Sequence, residues 1–300
     1  MKKIALFLFT LFLPILASAQ IEIILRKTFV DSLKDHVCIN TEFKVVKAHK
    51  KINPPSADGD MHVAGLTSNI GLAVVAEIMN AKTQSVTVKA IRENEGQDKY
   101  VSMTGAWRIW CEHPGASDKQ EQGKRIPKII STNPDHVFEI HPVTEYAGKD
   151  LLKSLKTIEG YEYKSAEKAF TKYADVTCTI KDKGDKVSIK TNGIGYNYVD
   201  FWIEILEGDQ VEVEDGRFVF CSVLTKKNGE VLINKMRMAF PKGSPAEKKV
   251  KSLQEGDQMH VTGVPRVSLK LIDYRLQNSS ENPEMLEWNL PVEMIVVGSY

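Results

Sequence analysis

The chain has 300 residues, of which 42% are hydrophobic and 26% are charged, and its 40 lysines and arginines are almost balanced by 39 aspartates and glutamates. Proteins that coat nucleic acid in general carry a clear basic excess, so this charge balance argues against that class. The length is sufficient for two domains of ordinary size.

The first 19 residues have the pattern of an export signal. Two lysines at positions 2 and 3 precede an apolar run over residues 4–16, and Ala17-Ser18-Ala19 supplies the small residues that signal peptidase recognises. The apolar run is shorter than the roughly 18 residues that a membrane-spanning helix needs, and no cysteine follows the cleavage site. We therefore expect a cleaved signal peptide (1–19) and a periplasmic or secreted mature protein without membrane insertion or a lipid anchor.

Strand-like segments alternate with turn signals along the first half. β-branched and aromatic residues predict a strand over 37–49, and the turn-forming segment Asn53–Gly59 ends it. Further strands are predicted over 61–66, 72–79, 100–110 and 136–143, with a helix over 82–95.

The second half repeats this order with clearer signals. Strands over 217–224 and 231–239 are joined by Asn228-Gly229, a dipeptide typical of type I′ turns. Ser244-Pro245-Ala246-Glu247 forms a capping box that predicts a helix to about Gln254. Strands over 258–263, 267–276 and 292–297 complete the pattern.

An internal repeat links the two halves: Tyr100–Gly105 and Met259–Gly263 each follow two strands and a helical segment. Three strands, a helix and two strands is the order of an OB-fold. We expect a mainly β chain with short helices, folded as two tandem OB-like Greek-key β-barrels. The expected boundaries are 36–147 for domain 1, 148–174 for a helical linker and 175–300 for domain 2, with an additional hairpin over 176–191. A single large β-sandwich is the competing architecture.

The four cysteines could form one disulfide in each half of an exported protein, or they could be buried thiols. They are Cys38, Cys111, Cys178 and Cys221, and four cysteines allow three pairings. The sequence has no C-x-x-C motif, so a structural zinc site built from cysteines has no support.

Histidines and acids of the first half are spaced so that they share strand faces. Residues two apart in a strand point the same way, so Asp60 lies beside His62 and Glu139 beside His141. A closed barrel would bring Glu77 to the same place. The candidate metal ligands are therefore His62, Glu77, His113, Glu139 and His141, with His113 approaching from a loop. This mixture of ligands suits Zn²⁺ or Mn²⁺ better than Ca²⁺, and a purely structural hydrogen-bonded network is the alternative.

Aromatic residues surround one arginine on the predicted strand 100–110. Trp107, Arg108 and Trp110 are candidate ligand-binding residues, because aromatic side chains on an OB face stack on bases or sugars. Arg108 is the expected exposed contact. Core packing of the tryptophans is the alternative.

Two motifs give a resemblance. With Asp58-Gly59-Asp60-Met61-His62 and Glu139-Ile140-His141-Pro142-Val143, residues 40 to 146 resemble a group of small exported bacterial domains that share D-G-D-x-H and E-x-H-P-V. The resemblance implies an OB-like fold and no particular reaction. Compared with that group, the approach to E-x-H-P is lengthened by a loop over 116–135.

These features favour an exported two-domain OB-like protein that binds an extracytoplasmic ligand, which could be an oligosaccharide, a nucleic acid or a protein partner. The alternative is a metal-dependent hydrolase, of the phosphodiesterase kind, in which the His/Glu cluster holds a metal that activates water. A structural part of an envelope assembly is a third interpretation. The sequence has no G-x-S-x-G elbow and no P-loop.

Overall fold

Seventeen strands and five α-helices make up the described part of the chain, residues 20–113, 118–192, 196–278 and 286–300 of a computed structural model. The expected signal peptide, residues 1–19, lies outside the described residues. In the first half the elements are β1 (Gln20–Arg26), α1 (Lys27–Leu33), β2 (Cys38–Ala48), β3 (Met61–Thr67), β4 (Val74–Ile78), α2 (Ser85–Asn94), β5 (Val101–Ile109), β6 (Lys119–Glu121), β7 (Phe138–Tyr146) and β8 (Lys149–Asp150). They continue with β9 (Lys164–Ser165), α3 (Ala166–Ala174), β10 (Thr177–Lys183), β11 (Lys186–Asn192), β12 (Val199–Val213), β13 (Gly216–Leu224), β14 (Val231–Pro241), α4 (Pro245–Val250), β15 (Gln258–Val267), α5 (Leu269–Asn278), β16 (Leu286–Asn289) and β17 (Val292–Ser299).

The first barrel consists of β2, β3, β4, β5 and β7. β2 pairs with β3 and β5, β3 pairs with β4, and β5 pairs with β7. The parallel pairing of β4 with β7 closes the cylinder. Helix α2 follows the third strand of the barrel and turns Val88 and Ile91 towards the core. This is the strand order of an OB-fold.

The second barrel repeats the same connections with β12, β13, β14, β15 and β17. β12 pairs with β13 and β15, and the parallel pairing of β14 with β17 closes this cylinder. The predicted pair of tandem OB-like Greek-key barrels is confirmed, and the single β-sandwich is not formed.

The repeated Thr-Gly dipeptide has a structural reason in each barrel. The register of the fourth strand on the fifth shifts between Thr104 and Gly105 in the first barrel, and between Thr262 and Gly263 in the second. A Cβ atom at Gly105 would lie 2.5 Å from the backbone oxygen of Pro142. Only glycine allows the bulged strand to approach its neighbour so closely.

A third sheet, which the sequence did not indicate, has the strand order β16-β10-β11-β1-β6. The expected hairpin over 176–191 is present as β10 and β11, and β1 pairs along β11 from Gln20 opposite Asn192 to Arg26 opposite Lys186. Strands from both halves of the chain therefore form one sheet beside the barrels.

Several local expectations differ from the structure. The segment expected to be a helical linker, residues 148–174, contains one α-helix, α3, together with the short strands β8 and β9 and a 3-10 helix over Leu152–Ser154. The Ser244 hydroxyl caps α4 by accepting from the Glu247 amide at 3.1 Å, but the helix ends at Val250, before the expected Gln254. In the Asn228-Gly229 turn only Asn228 has positive φ, so the turn is not type I′.

Among the described helices, none has both the length and the apolar character needed to cross a membrane.

Candidate functional site

Neighbouring strands of the first barrel bring several of the predicted residues together. His62 on β3 lies directly opposite Glu77 on β4. The β4–β7 pairing that closes the barrel then brings Glu139 and His141 to the same place. Asp60, just before β3, completes the group. Closure of the barrel therefore converts separate strand faces into one cluster.

The polar atoms of this cluster lie within a few ångströms of one another. Nδ1 of His141 lies 3.2 Å from Oε2 of Glu77 and 3.5 Å from Oε2 of Glu139. Nε2 of His62 lies 3.7 Å from the same Glu77 oxygen. Asp60, Glu77 and His141 are at most 3% exposed, and one ligand atom from each lies within 4.8 Å of the others. This buried group of three has the composition and spacing to hold a metal ion.

Tyr198, from the segment before β12, fixes the orientation of His141. The Tyr198 hydroxyl donates to Oδ2 of Asp60 and lies 2.8 Å from Nε2 of His141. Because a tyrosine hydroxyl has one hydrogen, Nε2 of His141 is the donor in the second contact. In a neutral imidazole, Nδ1 then carries a lone pair that faces the two glutamates.

Several buried atoms here have no hydrogen-bond partner among the described residues. They are Oδ1 of Asp60, Nε2 of His62, Oε2 of Glu77, Nδ1 of His141, Nη2 of Arg108 and Oε2 of Glu112. Buried polar groups in proteins are nearly always paired, so this concentration of atoms without hydrogen bonds is a place where an ion could be held.

Burial changes the acidity of the carboxyl groups. It raises the pKa of Asp60 well above its usual range, with the charge of Glu77 adding to the effect, and it raises the pKa of Glu77 to about 7. A cation beside Asp60 and Glu77 would favour the ionised form of both side chains.

Glu139 is in a different electrostatic situation. Although burial alone would raise its pKa, the Arg108 guanidinium and a hydrogen bond with His136 hold it well below the usual range. Nε2 of His136 lies 3.3 Å from the Glu139 carboxylate, and its Nδ1 lies 2.7 Å from the Pro134 carbonyl oxygen. The negative charge of Glu139 is therefore compensated within the protein.

Burial also lowers the pKa of His62 and of His113, so both rings are neutral near pH 7 and have a lone pair to offer. The two rings are placed differently. His62 belongs to the cluster, whereas His113 stacks on His136 with ring centroids 5.4 Å apart and is 39% exposed. The closest carboxylate contact of His113 is Glu112, at 4.0 Å. His113 thus lies at the rim, beside the Arg108–Glu139 pair.

The three candidate ligand-binding residues are all buried. Arg108 was expected to be an exposed contact, but it has no exposed surface and pairs with Glu139. Trp107 is buried under the Arg266 guanidinium, 3.6 Å from the ring centroid, and donates to the His36 carbonyl oxygen at 2.7 Å. Trp110 packs edge-on against Tyr173. The reason is that β5 faces the second barrel rather than solvent.

The second barrel provides an internal comparison. The Arg108–Glu139 pair on β5 and β7 has its equivalent in Arg266–Glu293 on β15 and β17. The same strand registers relate the His/Glu cluster to the second barrel. Phe218 is equivalent to His62, Ala239 to Glu77, and Ile295 to His141. Those three residues are buried in one apolar cluster.

The two copies therefore share the arginine–glutamate pair and differ in the His/Glu cluster. Apolar side chains fill the equivalent space in the second barrel, so the fold itself does not require polar residues there. The polar cluster is a special feature of the first barrel.

The sequence analysis did not include Tyr198 or His136 among the site residues. Asp60 was expected on the face of His62, and its place in the D-G-D-x-H motif was the available signal. No motif marks Tyr198, which reaches the cluster from the other barrel.

No protein-family model matches the chain, and no curated protein is similar to it in sequence. The comparison with solved structures matches the chain to the wild-type single-stranded DNA binding protein from Thermus aquaticus and to a deletion mutant of it. The identities are 7% and 6%, each comparison covers 88% of this chain and 90% or 92% of the other, and both TM-scores are 0.22. A TM-score this low says nothing about what the chain binds, so the OB-like assignment follows from the strand order.

Proposed function

We propose that this is an exported, two-barrel OB-like binding protein whose first barrel holds a divalent metal ion, Zn²⁺ or Mn²⁺, in the buried cluster. Export is supported by the signal-like residues 1–19 and by the resemblance to exported bacterial domains. The two motifs shared with that group, D-G-D-x-H and E-x-H-P-V, contain four residues of the cluster: Asp60, His62, Glu139 and His141.

The observation that carries the proposal is the difference between the two copies. An ordinary structural network would be paired internally, as Arg108–Glu139 is. Instead, Asp60, Glu77 and His141 each have a buried atom without a hydrogen-bond partner among the described residues, and apolar residues suffice at the positions of the second barrel that are equivalent to His62, Glu77 and His141. A cation held by Asp60, Glu77 and His141, whose ligand atoms lie within 4.8 Å of one another, would compensate their buried polar atoms.

Asp60, Glu77 and His141 are the residues that would bind the ion directly, because each offers a ligand atom within 4.8 Å of those of the other two. Zinc bonds of 2.0–2.2 Å in a tetrahedral arrangement place ligand atoms about 3.4 Å apart. The Glu77 oxygen lies 3.2 Å from Nδ1 of His141, close to that spacing, and Nε2 of His62 lies 3.7 Å from the same oxygen at the edge of the group.

Asp60 would also orient His141 through Tyr198, because its second oxygen, Oδ2, is hydrogen-bonded to that tyrosine. It accepts from the Tyr198 hydroxyl, which in turn accepts from Nε2 of His141. A ligating histidine commonly donates its other N–H to such a partner, which fixes the ring and increases its basicity.

A metal-dependent hydrolase would need an open metal position that substrate can reach. Burial of Asp60, Glu77 and His141 supports a resident ion instead, so the binding role is the one proposed.

The test is the metal content of the purified full-length mature protein by inductively coupled plasma mass spectrometry. We expect about one Zn²⁺ or Mn²⁺ per chain, with most of it lost in Glu77→Gln, which preserves side-chain shape, and in His141→Ala. The matched control is His36→Ala, because His36 is half-exposed and contacts Asp215 outside the cluster. The wild-type protein is purified or refolded in the presence of both ions. If it then contains no metal, the proposal is contradicted.

A further inference from the structure

A groove of about 640 Å³ lies beside the buried His/Glu cluster, where the two barrels meet. Gly59, between Asp58 and the buried Asp60, forms part of its wall, together with the segment 156–163 and Tyr300. The first inter-strand loop, which contributes this wall, is one of the loops that OB-folds use to bind oligosaccharides and oligonucleotides. A volume of this size is typical of small-molecule sites.

Three tyrosines line the groove, and contacts behind them hold each ring in place. Tyr161 meets Tyr163 edge-on at 4.9 Å and Tyr198 at 5.5 Å. The Tyr163 hydroxyl accepts from the Ile158 amide at 2.6 Å. These rings form a pre-organised wall, so a ligand would not bear the entropy cost of ordering them.

Tyr300 is fixed from the second barrel. Its ring stacks on His260 with centroids 4.0 Å apart, and His260 stacks on Trp202 at 4.8 Å. The Tyr300 hydroxyl donates to Asp200 at 2.8 Å. Tyr300 remains 52% exposed, so one face of a held ring is open to a ligand.

The charged residues of the groove leave positive charge available. Lys82 and Lys156 line it and are exposed, and neither forms an ion pair among the described residues. Glu159 is the one acid among the lining residues. An anionic ligand would therefore meet two uncompensated ammonium groups beside an aromatic wall.

Taking the proposed binding function as given, we infer that this groove binds a short acidic oligosaccharide. The tyrosine faces would pack against the sugar rings, and Lys82 and Lys156 would pair with carboxylates along the chain. Single-stranded nucleic acid is the less suitable ligand, because its binding grooves carry a continuous basic track, which two lysines and a glutamate do not form.

The inference can be tested by isothermal titration calorimetry of the full-length mature protein with tetragalacturonate. Neutral cellotetraose and oligo(dT) of about eight nucleotides serve as comparison ligands. We expect tetragalacturonate to bind best, and the double variant Lys82→Ala/Lys156→Ala to bind it about tenfold more weakly, since two exposed charge pairs are lost. The control is Lys89→Ala, which removes a lysine that is 77% exposed and does not line this groove.

Three results would overturn the inference. The first is that tetragalacturonate does not bind, and the second is that the double-lysine variant binds it as well as wild type does. The third is that the protein prefers oligo(dT) or cellotetraose. Metal content is measured on the same preparation. Metal-loaded protein that ignores tetragalacturonate contradicts the acidic-sugar inference alone, whereas metal-free protein contradicts the proposed metal-binding function.

Discussion

Arg108 and Arg266 occupy equivalent positions in the two barrels, and each donates to a backbone carbonyl of the other barrel. Nε of Arg108 donates to the Pro265 oxygen at 2.7 Å, and Nη1 of Arg266 donates to the Trp107 oxygen at 3.0 Å. Each arginine also pairs with the equivalent glutamate of its own barrel, Glu139 or Glu293. The duplicated pair thus joins the two copies through a reciprocal contact.

The Glu293 carboxylate is expected to stabilise the joined barrels strongly. It is fully buried and lies 2.6 Å from both Arg266 and Arg237. Glu293→Gln would leave two buried guanidinium groups undercompensated, at a cost of about 3 kcal/mol in the free energy of unfolding. Urea denaturation followed by circular dichroism measures this loss.

The same variant carries a pH signature. Although burial would raise the pKa of Glu293, Arg266 and Arg237 hold it below its ordinary value of 4.5. A lowered folded-state pKa gives stability that is present above pH 4.5 and is lost as pH falls through the folded value. Wild type should therefore lose more stability than Glu293→Gln below pH 4.5, and parallel pH profiles would contradict this role.

The two bulge glycines should respond unequally to a methyl group. In Gly105→Ala the new Cβ would lie 2.5 Å from Ile140 Cγ2 and from the Pro142 oxygen, whereas in Gly263→Ala the closest atom is the Ile295 oxygen at 2.9 Å. We expect Gly105→Ala to lower the unfolding free energy by about 1–3 kcal/mol, and Gly263→Ala to have the smaller effect. Thermal denaturation of both variants decides the order, and the reverse order would be inconsistent with the bulge geometry.

All four cysteines are buried and present as thiols in the structure. Burial raises the pKa of Cys111 to about 12 and that of Cys178 to about 11, so little reactive thiolate forms near pH 8. We expect Ellman's reagent to react slowly with native protein and to detect four thiols in denaturant without reductant. Fewer than four would mean that disulfides form.

Tyr198→Phe tests whether Asp60 acts on the metal through the tyrosine. Loss of the hydroxyl breaks the link between Asp60 and His141, and loss of such outer contacts weakens metal binding about 10–100-fold. Zinc competition titration measures the change. Tyr161→Phe is the control, because the Tyr161 ring packs on Tyr198. Among the described residues, Tyr161 makes no hydrogen bond to His141. An unchanged affinity in Tyr198→Phe would assign the tyrosine a packing role alone.

The sequence was sufficient to predict the barrels because their signals are local and occur twice. The strand-like segments and the Thr-Gly dipeptide recur in the same order in both halves, and the capping box at Ser244 adds a clear helix signal in the second half. Shared strand faces also predicted the convergence of His62, Glu77 and His141, since closure of an OB barrel fixes which strands are neighbours.

Features that depend on contacts between distant segments were not predictable in this way. β1 pairs with β11, whose paired residues lie 160 or more positions later in the chain, and strand periodicity does not specify a partner. The burial of Arg108 depends on Pro265, and the role of Tyr198 depends on the same junction. The burial of Arg108 and the role of Tyr198 both follow from how the two barrels pack on each other. The sequence pattern of neither barrel contains that information.

The most direct measurement of the central claim is a Co²⁺ titration of metal-free protein, followed by visible absorption. Coordination by Asp60, Glu77 and His141 predicts a d–d band that saturates at about one ion per chain and is lost in Glu77→Gln while the circular dichroism spectrum is kept. A wild-type protein that develops no band, or a Glu77→Gln variant with the same band and stoichiometry, would contradict a metal site in the first barrel.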